Sequence, residues 1–334
     1  MSTAYSTRPG RSASSDWLAA HAQLLAIAGF FALMFVWFSV TSQSFFSAGN
    51  LLNVLRQAAP ILIVAIAMTF VITTGGIDLS VGSTVALINA LAAILLQMLL
   101  PWPIVIVLLL AIGACVGAVQ GWFIAYQGIQ AFIVTLAGLS TLRGVALLMT
   151  QGFSIPISTD LGFVAIGREW ILGVPVPAWI ALACVIAGFL VLAGTRFGRY
   201  VTAIGANQEA ARRAGIATRA IVLWVYMLTG VASALAGIII AARLGSGSSN
   251  AAVGFELDVI AAVVLGGTSL MGGRGSILGT LLGALTIAVI GNGLILSHVS
   301  PFFTQIVTGV IILVAVWLNA RVFSRLTTGV RSAS

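Results

Sequence analysis

Charged residues are scarce in this chain of 334 residues: they make up 7% of it, whereas 60% of the residues are apolar. Soluble globular proteins carry about a quarter charged residues. Together with a mean hydropathy of +1.16, this scarcity excludes a water-soluble domain and an intrinsically disordered chain. The composition predicts a polytopic membrane protein.

Lysine is absent, and all 15 basic residues are arginine. The Walker A loop of nucleotide-hydrolysing proteins needs a lysine on the β- and γ-phosphates, so this chain has no such loop. Any nucleotide hydrolysis that serves the protein belongs to another polypeptide, and we expect this chain to bind no cofactor.

Cysteine and histidine are too few for a disulfide framework or a zinc site. Cys115 and Cys184 lie in apolar runs, and His21 and His298 form no cluster with zinc-ligand spacing. The adjacent pair Ser297 and His298 argues against an intramembrane hydrolase, because neighbouring residues do not face each other on a helix. We predict no metal site and no catalytic residue.

The apolar sequence divides into runs of about twenty residues, the length that a helix needs to cross a bilayer core. The alternating strands of a transmembrane barrel are not visible, and lipid admits only helices and closed barrels. The sequence therefore predicts an all-α fold, a polytopic membrane helical bundle of about ten transmembrane helices. The predicted spans are roughly 19–40, 52–74, 80–100, 103–126, 130–149, 178–194, 220–242, 257–271, 276–296 and 302–320.

Arginine asymmetry predicts the sidedness, because cytoplasmic loops carry an excess of basic residues. With ten spans and both termini in the cytoplasm (N-in/C-in), eleven arginines lie inside and only Arg168 and Arg243 in outer loops. Arg56 and Arg143 lie near outer span ends, where a long side chain can reach the interface.

The same division predicts the domain organisation. Residues 1–18 form a flexible polar cytoplasmic tail rather than a signal peptide, and residues 321–334 form a basic cytoplasmic tail. Residues 19–320 form a single transmembrane domain, with its largest outer loop at 150–177 and its largest inner loop at 195–219.

The inner loop contains a short predicted helix. Asn207 is a good N-cap, Glu209 lies in the first turn, and Gly215 is a natural C-terminal stop. Ala210 and Ala211 between them favour a helix. About two turns are too short to be stable alone in water. The helix therefore either docks into a partner or lies on anionic lipid.

This loop resembles the cytoplasmic loop of ABC importer permeases. Glu209-Ala210-Ala211-x-x-x-Gly215 matches their E-A-A-x-x-x-G core, although the I-x-L-P tail of other importer classes is absent. The longer pattern from Thr195 to Ile216, T-x-F-G-R-Y…A-I-G-x-N-x-x-A-A-x-x-x-G-I, is similar to permeases of the ribose/xylose/galactose uptake systems. The segments 74–83 and 255–275 match the same family, and the resemblance extends from about residue 20 to 320.

The resemblance implies a transmembrane permease domain at the centre of an ABC importer in the bacterial plasma (inner) membrane. A second permease copy, making a homodimer or a paired assembly, and the lipid bilayer are implied partners, and no nucleic acid is expected. ABC ATPase subunits, which bind ATP and Mg²⁺, would hold the inner loop, and a periplasmic sugar-binding protein would deliver a monosaccharide. The implied ATPase-docking residues are Gly205, Asn207, Glu209, Ala210, Ala211 and Gly215.

Two alternatives stay open at this point. The first is an ABC permease for a non-sugar solute such as a branched amino acid. The second is a secondary carrier or channel, against which stand the scarcity of membrane-embedded acids for ion coupling and the inner-loop motif. Within the sugars, a pentose, a hexose and other polyol-like ligands are equally compatible with the sequence.

Glycine interrupts the apolar runs in both halves of the chain, at 75–83 and at 264–276. Paired interruptions of this kind are a sequence pointer to a transporter's substrate path. Capping of the third span by Asp78 or Ser80 explains the first interruption equally well. The candidate pathway residues are Gly75, Gly76, Asp78, Ser80, Gly266 and Gly267.

Glu256 and Asp258 begin the eighth predicted span at the outer face. An acidic first turn is favoured by the helix dipole, which is the simpler explanation. The alternative is that the two carboxylates form an outer gate or contact the delivery protein.

Overall fold

Residues 13–160 and 162–300, with residues 303, 306, 309, 310 and 313, are described by a computed structural model. The tail predicted at 321–334 and residues 1–12 lie outside this description, as do most residues of the span predicted at 302–320. The outcome of the predictions on those segments is therefore not given by the structure.

The chain is predominantly helical, with two short two-stranded ladders between its helices. In chain order the elements are α1 (Ala13–Thr41), α2 (Ala48–Thr73), α3 (Val81–Gln97), α4 (Trp102–Ala125), α5 (Ala131–Thr150), β1 (Ile155–Pro156), α6 (Gly162–Arg168), β2 (Trp170–Ile171), β3 (Val174–Pro175), α7 (Val176–Gly194), α8 (Arg196–Ala206), α9 (Gln208–Arg213), α10 (Thr218–Leu244), β4 (Ser246–Gly247), α11 (Phe255–Leu265) and α12 (Ile277–Leu296).

Seven helices in the described part of the chain are long and apolar enough to cross a membrane: α1, α2, α4, α5, α7, α10 and α12. The apolar helix α3 is slightly shorter, at 17 residues. An all-α membrane bundle is therefore confirmed.

The span predicted at 257–271 is wrong in its extent. Helix α11 has 11 residues and ends at Leu265, so it rises about 16 Å, roughly half of a bilayer core. The chain then continues without helix to Ser276, the N-cap residue of α12. Non-helical backbone at this depth is tolerated where protein covers it.

Helices α2 and α10 occupy the centre of the bundle. Each contributes a long run of buried residues, and the two helices pack against each other. Helix α10 also packs against α3 and α4, and α2 also packs against α7, α11 and α12. Glycines on one face of α4 explain one close approach, because a side chain at Gly113 or Gly117 would overlap the backbone of α10. These glycines therefore serve packing within the chain.

The loops between the helices described below lie at two ends of the bundle. At the first, which we name the α9 end, Gly273 N donates to Thr73 O at 2.9 Å, and Gly128 and Arg219 line one cavity with Gly75. At the second, which we name the β end, β1 pairs antiparallel with β4 and thereby joins the loop after α5 to the end of α10. The segments predicted as cytoplasmic at 195–219 and 272–275 thus share one end.

Candidate functional site

Helix α9 forms in the inner loop as the sequence predicts. The N-cap Asn207 accepts a hydrogen bond from Ala210 N at 2.9 Å through its Oδ1. Gly215 follows the helix with a φ of +83°, the left-handed conformation that glycine adopts without strain. Ala211 is buried beneath the helix, whereas Asn207, Glu209 and the residues beside them are exposed. The helix therefore presents its polar face to the surroundings.

Glu209 is held on the surface of α9 by two arginines. Its Oε1 accepts hydrogen bonds from Arg213 at 3.0 Å and from Arg212 at 3.2 Å. These bonds, with the Arg212 charge beside them, hold the pKa of the Glu209 carboxyl below its ordinary value. The carboxylate is therefore ionised throughout the physiological pH range.

Helix α8 precedes α9 and was not predicted. Thr195 caps it by accepting from Gly198 N at 3.2 Å. Val201 and Ile204 are buried and Phe197 is half-buried, whereas Arg196 and Arg199 are exposed. The spacing of these three apolar residues was a readable helix signal. Helix α8 leads from α7 to the exposed α9.

Three segments meet through backbone at the last turn of α8. Gly273 N donates to Thr73 O at 2.9 Å, and Gly205 lies against both atoms so closely that a Cβ there would overlap them. Gly272, with a φ of +81°, approaches Gly205 O, and Gly75 follows at the end of α2. We name Thr73, Gly75, Gly205, Gly272 and Gly273 the glycine junction. It brings the inner loop and both predicted interruptions together.

The second interruption reaches the junction through different glycines from those predicted. Gly266 packs against the backbone of Gly279 in α12, and Gly267 adopts a φ of +90° just after α11 ends. Neither borders the cavity that Gly75 and Gly76 line. The close approach of α11 to α12 thus explains Gly266.

Asp78 and Ser80 are buried and bonded to each other below the junction. Asp78 Oδ1 accepts from Ser80 N at 2.9 Å and from Ser80 Oγ at 2.7 Å. Ser80 is the N-cap residue of α3, but its side chain makes no capping bond. The carboxylate of Asp78 stabilises the turn before α3 through its two hydrogen bonds with Ser80. Gln120 of α4, which was not predicted, donates from Nε2 to Ser80 Oγ at 2.9 Å. The three side chains form a buried hydrogen-bonded chain.

A cavity of about 740 Å³ opens beside α9. Its lining includes Gly75, Gly76, Glu209, Arg212 and Tyr226. The buried Tyr226 hydroxyl has no hydrogen-bond partner among the described residues, and a Cβ at Gly76 would come within 2.5 Å of it. The first interruption and α9 therefore line the same space. Tyr226 was not predicted, because no local sequence signal distinguishes it from a core tyrosine.

Glu256 and Asp258 lie in the first turn of α11 at the β end, as predicted. Glu256 Oε2 is buried against Gly82 of α3 and has no hydrogen-bond partner among the described residues. Nearby, Arg143 donates to Ser249 O at 2.7 Å and to Ala251 O at 2.8 Å. Arg143 thus stabilises the turn before α11 through these hydrogen bonds, a role that its sequence position alone did not indicate.

Comparison with known proteins gives the same assignment as the inner-loop motif. The family model described as the permease component of the branched-chain amino acid transport system matches residues 50–316. No solved structure matches the chain.

Curated relatives match over nearly their whole length. The ribose import permease of Escherichia coli is 45% identical over 310 residues, covering 91% of this chain and 94% of the relative. That of Bacillus subtilis is 44% identical over 294 residues, covering 88% and 91%. The xylose transport system permease of Escherichia coli is 36% identical over 356 residues, covering 88% and 90%. The chain therefore belongs to the branched-chain amino acid transport system permease family, whose members are ABC transporter permease subunits and not enzymes.

Proposed function

We propose that this chain is the permease subunit of an ATP-driven importer that carries a monosaccharide across the bacterial inner membrane. Its relatives named for ribose and xylose import favour a sugar over the branched amino acid considered above. A separate ATPase subunit binds ATP and Mg²⁺, since the chain contains no lysine for a Walker A loop.

The α9 end faces the cytoplasm in this proposal, because the loop at 195–219 carries five arginines. Both termini then lie inside, with about ten spans. Helix α3 counts as one span, α11 with the chain that follows it as another, and the segment predicted at 302–320 as the last. The β end faces the periplasm and receives the sugar-binding protein, with Glu256 at the outer gate.

The exposed polar face of α9 is the ATPase-docking surface. Asn207 fixes the start of the helix and Gly215 its end, while Ala211 anchors it to the bundle. Glu209 stays ionised and is held by Arg212 and Arg213. The ATPase subunit therefore binds a helix of fixed position and charge. A helix of six residues is too short to be stable by itself.

Movement of α9 reaches the membrane interior through the glycine junction. Gly205, at the end of α8, contacts the backbone of α2 at Thr73 and that of the α11–α12 connection at Gly273. A shift of α8 must therefore displace both, since no side chain lies between them to absorb it. The first interruption, at Gly75, Gly76, Asp78 and Ser80, borders the pathway on the cytoplasmic side. The second contributes Gly272 and Gly273, whereas Gly266 and Gly267 position α11 against α12.

A second copy of the permease completes the pathway in this proposal. Helix α5 is exposed along most of its length, and its exposed face includes Ala137, Ser140, Thr141 and Gly144. Small and polar side chains of this kind favour contact with another helix over contact with lipid.

One observation carries the proposal: the exposed α9 follows directly on α8, whose Gly205 contacts the backbone of Thr73, just before the first interruption, and of Gly273 in the second. Reconstitution in proteoliposomes tests it. We expect uptake of ribose or xylose only when the ATPase subunits, ATP and the sugar-binding protein are all present. Accumulation of solute by this chain alone under an ion gradient would contradict the proposal and favour a secondary carrier.

A further inference from the structure

Three arginines come together at the β end, from three different helices. Arg243 lies at the end of α10, Arg56 in α2 and Arg168 at the end of α6. Arg168 Nε donates to the backbone oxygen of Arg243 at 2.9 Å, and Arg243 lines one cavity with Gln57, the residue that follows Arg56. Arg56 Nη2 donates to Asn53 Oδ1 at 2.9 Å. Neither Arg56 nor Arg243 forms an ion pair with a described carboxylate.

Two guanidinium nitrogens in this cluster are buried without an acceptor among the described residues, Arg56 Nε and Arg243 Nη1. Buried charged donors that lack a partner cost free energy, and most such groups in proteins are bonded to protein, water or an ion. The arrangement is therefore suited to an anion that accepts from both.

A cavity of about 300 Å³ beside this cluster carries both signs of charge. Arg243 and Asp258 line it, together with Gln57. The two charged side chains make no ion pair with each other, so they face the same space from separate positions. A ligand with an anionic and a cationic group can engage both.

An apolar groove of about 780 Å³ continues from this cavity. The two share Gln57, Ile61, Val253 and Asp258. The groove runs along α11 and α12, past Leu257, Val264, Ile287 and Ile295. A polar head site that opens into a long apolar groove at a membrane-spanning surface matches the form of a phospholipid.

We propose that this site binds an aminophospholipid of the phosphatidylethanolamine type. The phosphate accepts from Arg56 and Arg243 in the manner of guanidinium–phosphate pairs. The ammonium group faces Asp258, and one acyl chain lies in the groove. Arg56 is eight residues into α2, about 12 Å below its first residue. A lipid approaching from the side reaches that depth, whereas a soluble protein docking on the outer surface does not.

Native mass spectrometry of the purified, delipidated protein tests this site, with phosphatidylethanolamine, phosphatidylglycerol and phosphatidylcholine added in turn. We expect Arg56→Gln and Arg243→Gln each to lower the amount of bound phosphatidylethanolamine about tenfold. Arg243→Lys should retain most of it, because the charge remains. The matched control is Arg199→Gln, which removes an exposed arginine at the opposite end and should leave lipid binding unchanged.

A second variant identifies the headgroup. Asp258→Asn should abolish the preference for phosphatidylethanolamine over phosphatidylglycerol and leave phosphate binding in place. Equal lipid retention by the wild type, Arg56→Gln and Arg243→Gln would overturn the proposal. So would unchanged lipid binding in Arg243→Gln combined with weaker binding of the sugar-binding protein, since the arginines would then serve that protein.

Discussion

Gly205 is the residue at which the loop that we propose to bind the ATPase meets the rest of the bundle. A methyl group there would overlap both Thr73 O and Gly273 N, and these are backbone atoms that cannot rotate away. We predict that Gly205→Ala lowers ATP-driven sugar uptake at least about tenfold and destabilises the fold by about 1–3 kcal/mol. Uptake in proteoliposomes and the thermal unfolding midpoint measure the two effects.

Gly194 provides the matched control for this substitution. It lies near the same end of the bundle, and a Cβ there would have no neighbour within 4 Å. Gly194→Ala should therefore transport at the wild-type rate. Normal uptake by Gly205→Ala would show that the glycine junction does not transmit movement.

Asp78 allows its two explanations to be separated. In Asp78→Asn the side-chain oxygen still accepts from Ser80 N and Ser80 Oγ, so the local turn survives while the charge disappears. We predict that uptake falls about tenfold, as expected for loss of a charge that serves the pathway. Co-purification with the ATPase subunits should be unchanged. Full transport by Asp78→Asn would leave Asp78 as a turn-forming residue only.

The local roles of residues were predictable from the sequence, and their distant partners were not. Asn207 and Gly215 could be assigned because a cap and a left-handed stop depend on neighbours within a few residues. Gln120 and Ser80 are separated by forty positions, and Gly205 meets Thr73 across a still longer separation. Such pairs depend on how the helices pack, which periodicity along one helix does not specify.

At the scale of elements, α9 depends on its cap because it has only six residues. Asn207→Ala removes the acceptor for Ala210 N and should cost about 1 kcal/mol of helix stability. We predict that less ATPase co-purifies with this variant while membrane insertion is unchanged. Asn207→Asp keeps an acceptor at the same position and serves as the control. ATPase recovery equal to wild type in Asn207→Ala would place the docking surface elsewhere.

Acid should weaken the docking helix for a related reason. The pKa of Glu209 lies below its ordinary value because Arg213 and Arg212 bond the ionised form. The stabilisation is therefore complete above the ordinary carboxylate range and is lost as the pH falls through the lowered pKa. Because Glu209 stays ionised between about pH 6 and 8, we predict that its contribution to ATPase binding is constant over that range. Glu209→Gln should bind more weakly than wild type across that range.

Helix α11 shows where prediction from apolar length reaches its limit. Residues 257–271 are nearly all apolar or small, so a window of twenty residues scores them as a span. The helix nevertheless ends at Leu265, because Gly266 packs directly on Gly279 and the chain then turns toward Thr73. Glycines at 266, 267, 272 and 273 signalled an interruption but not its depth. The depth follows from contacts with α2, α8 and α12.

At the scale of the whole molecule, both interruptions meet the loop at 195–219 at one end of the bundle. The first is the connection between α2 and α3, and the second is the connection between α11 and α12. Gly273 of the second connection donates to Thr73, the last residue of α2 before the first connection, and in the proposed function this bond allows one external movement to act on both halves of the chain. An importer driven by an ATPase needs this arrangement, because all its energy enters at a single surface.

The sidedness of the bundle can be tested with two single cysteines in a background without Cys115 and Cys184. Thr159 is exposed at the β end and Ala214 at the α9 end. In intact spheroplasts, a membrane-impermeant maleimide should label Thr159→Cys and leave Ala214→Cys unlabelled, whereas both should react after the membrane is opened. The arginine excess in the loop at 195–219 is the physical reason, since that loop is retained in the cytoplasm during insertion. The opposite labelling pattern would show that the proposed orientation is reversed. Helix α9 would then lie outside the cell, where no cytoplasmic ATPase can bind it.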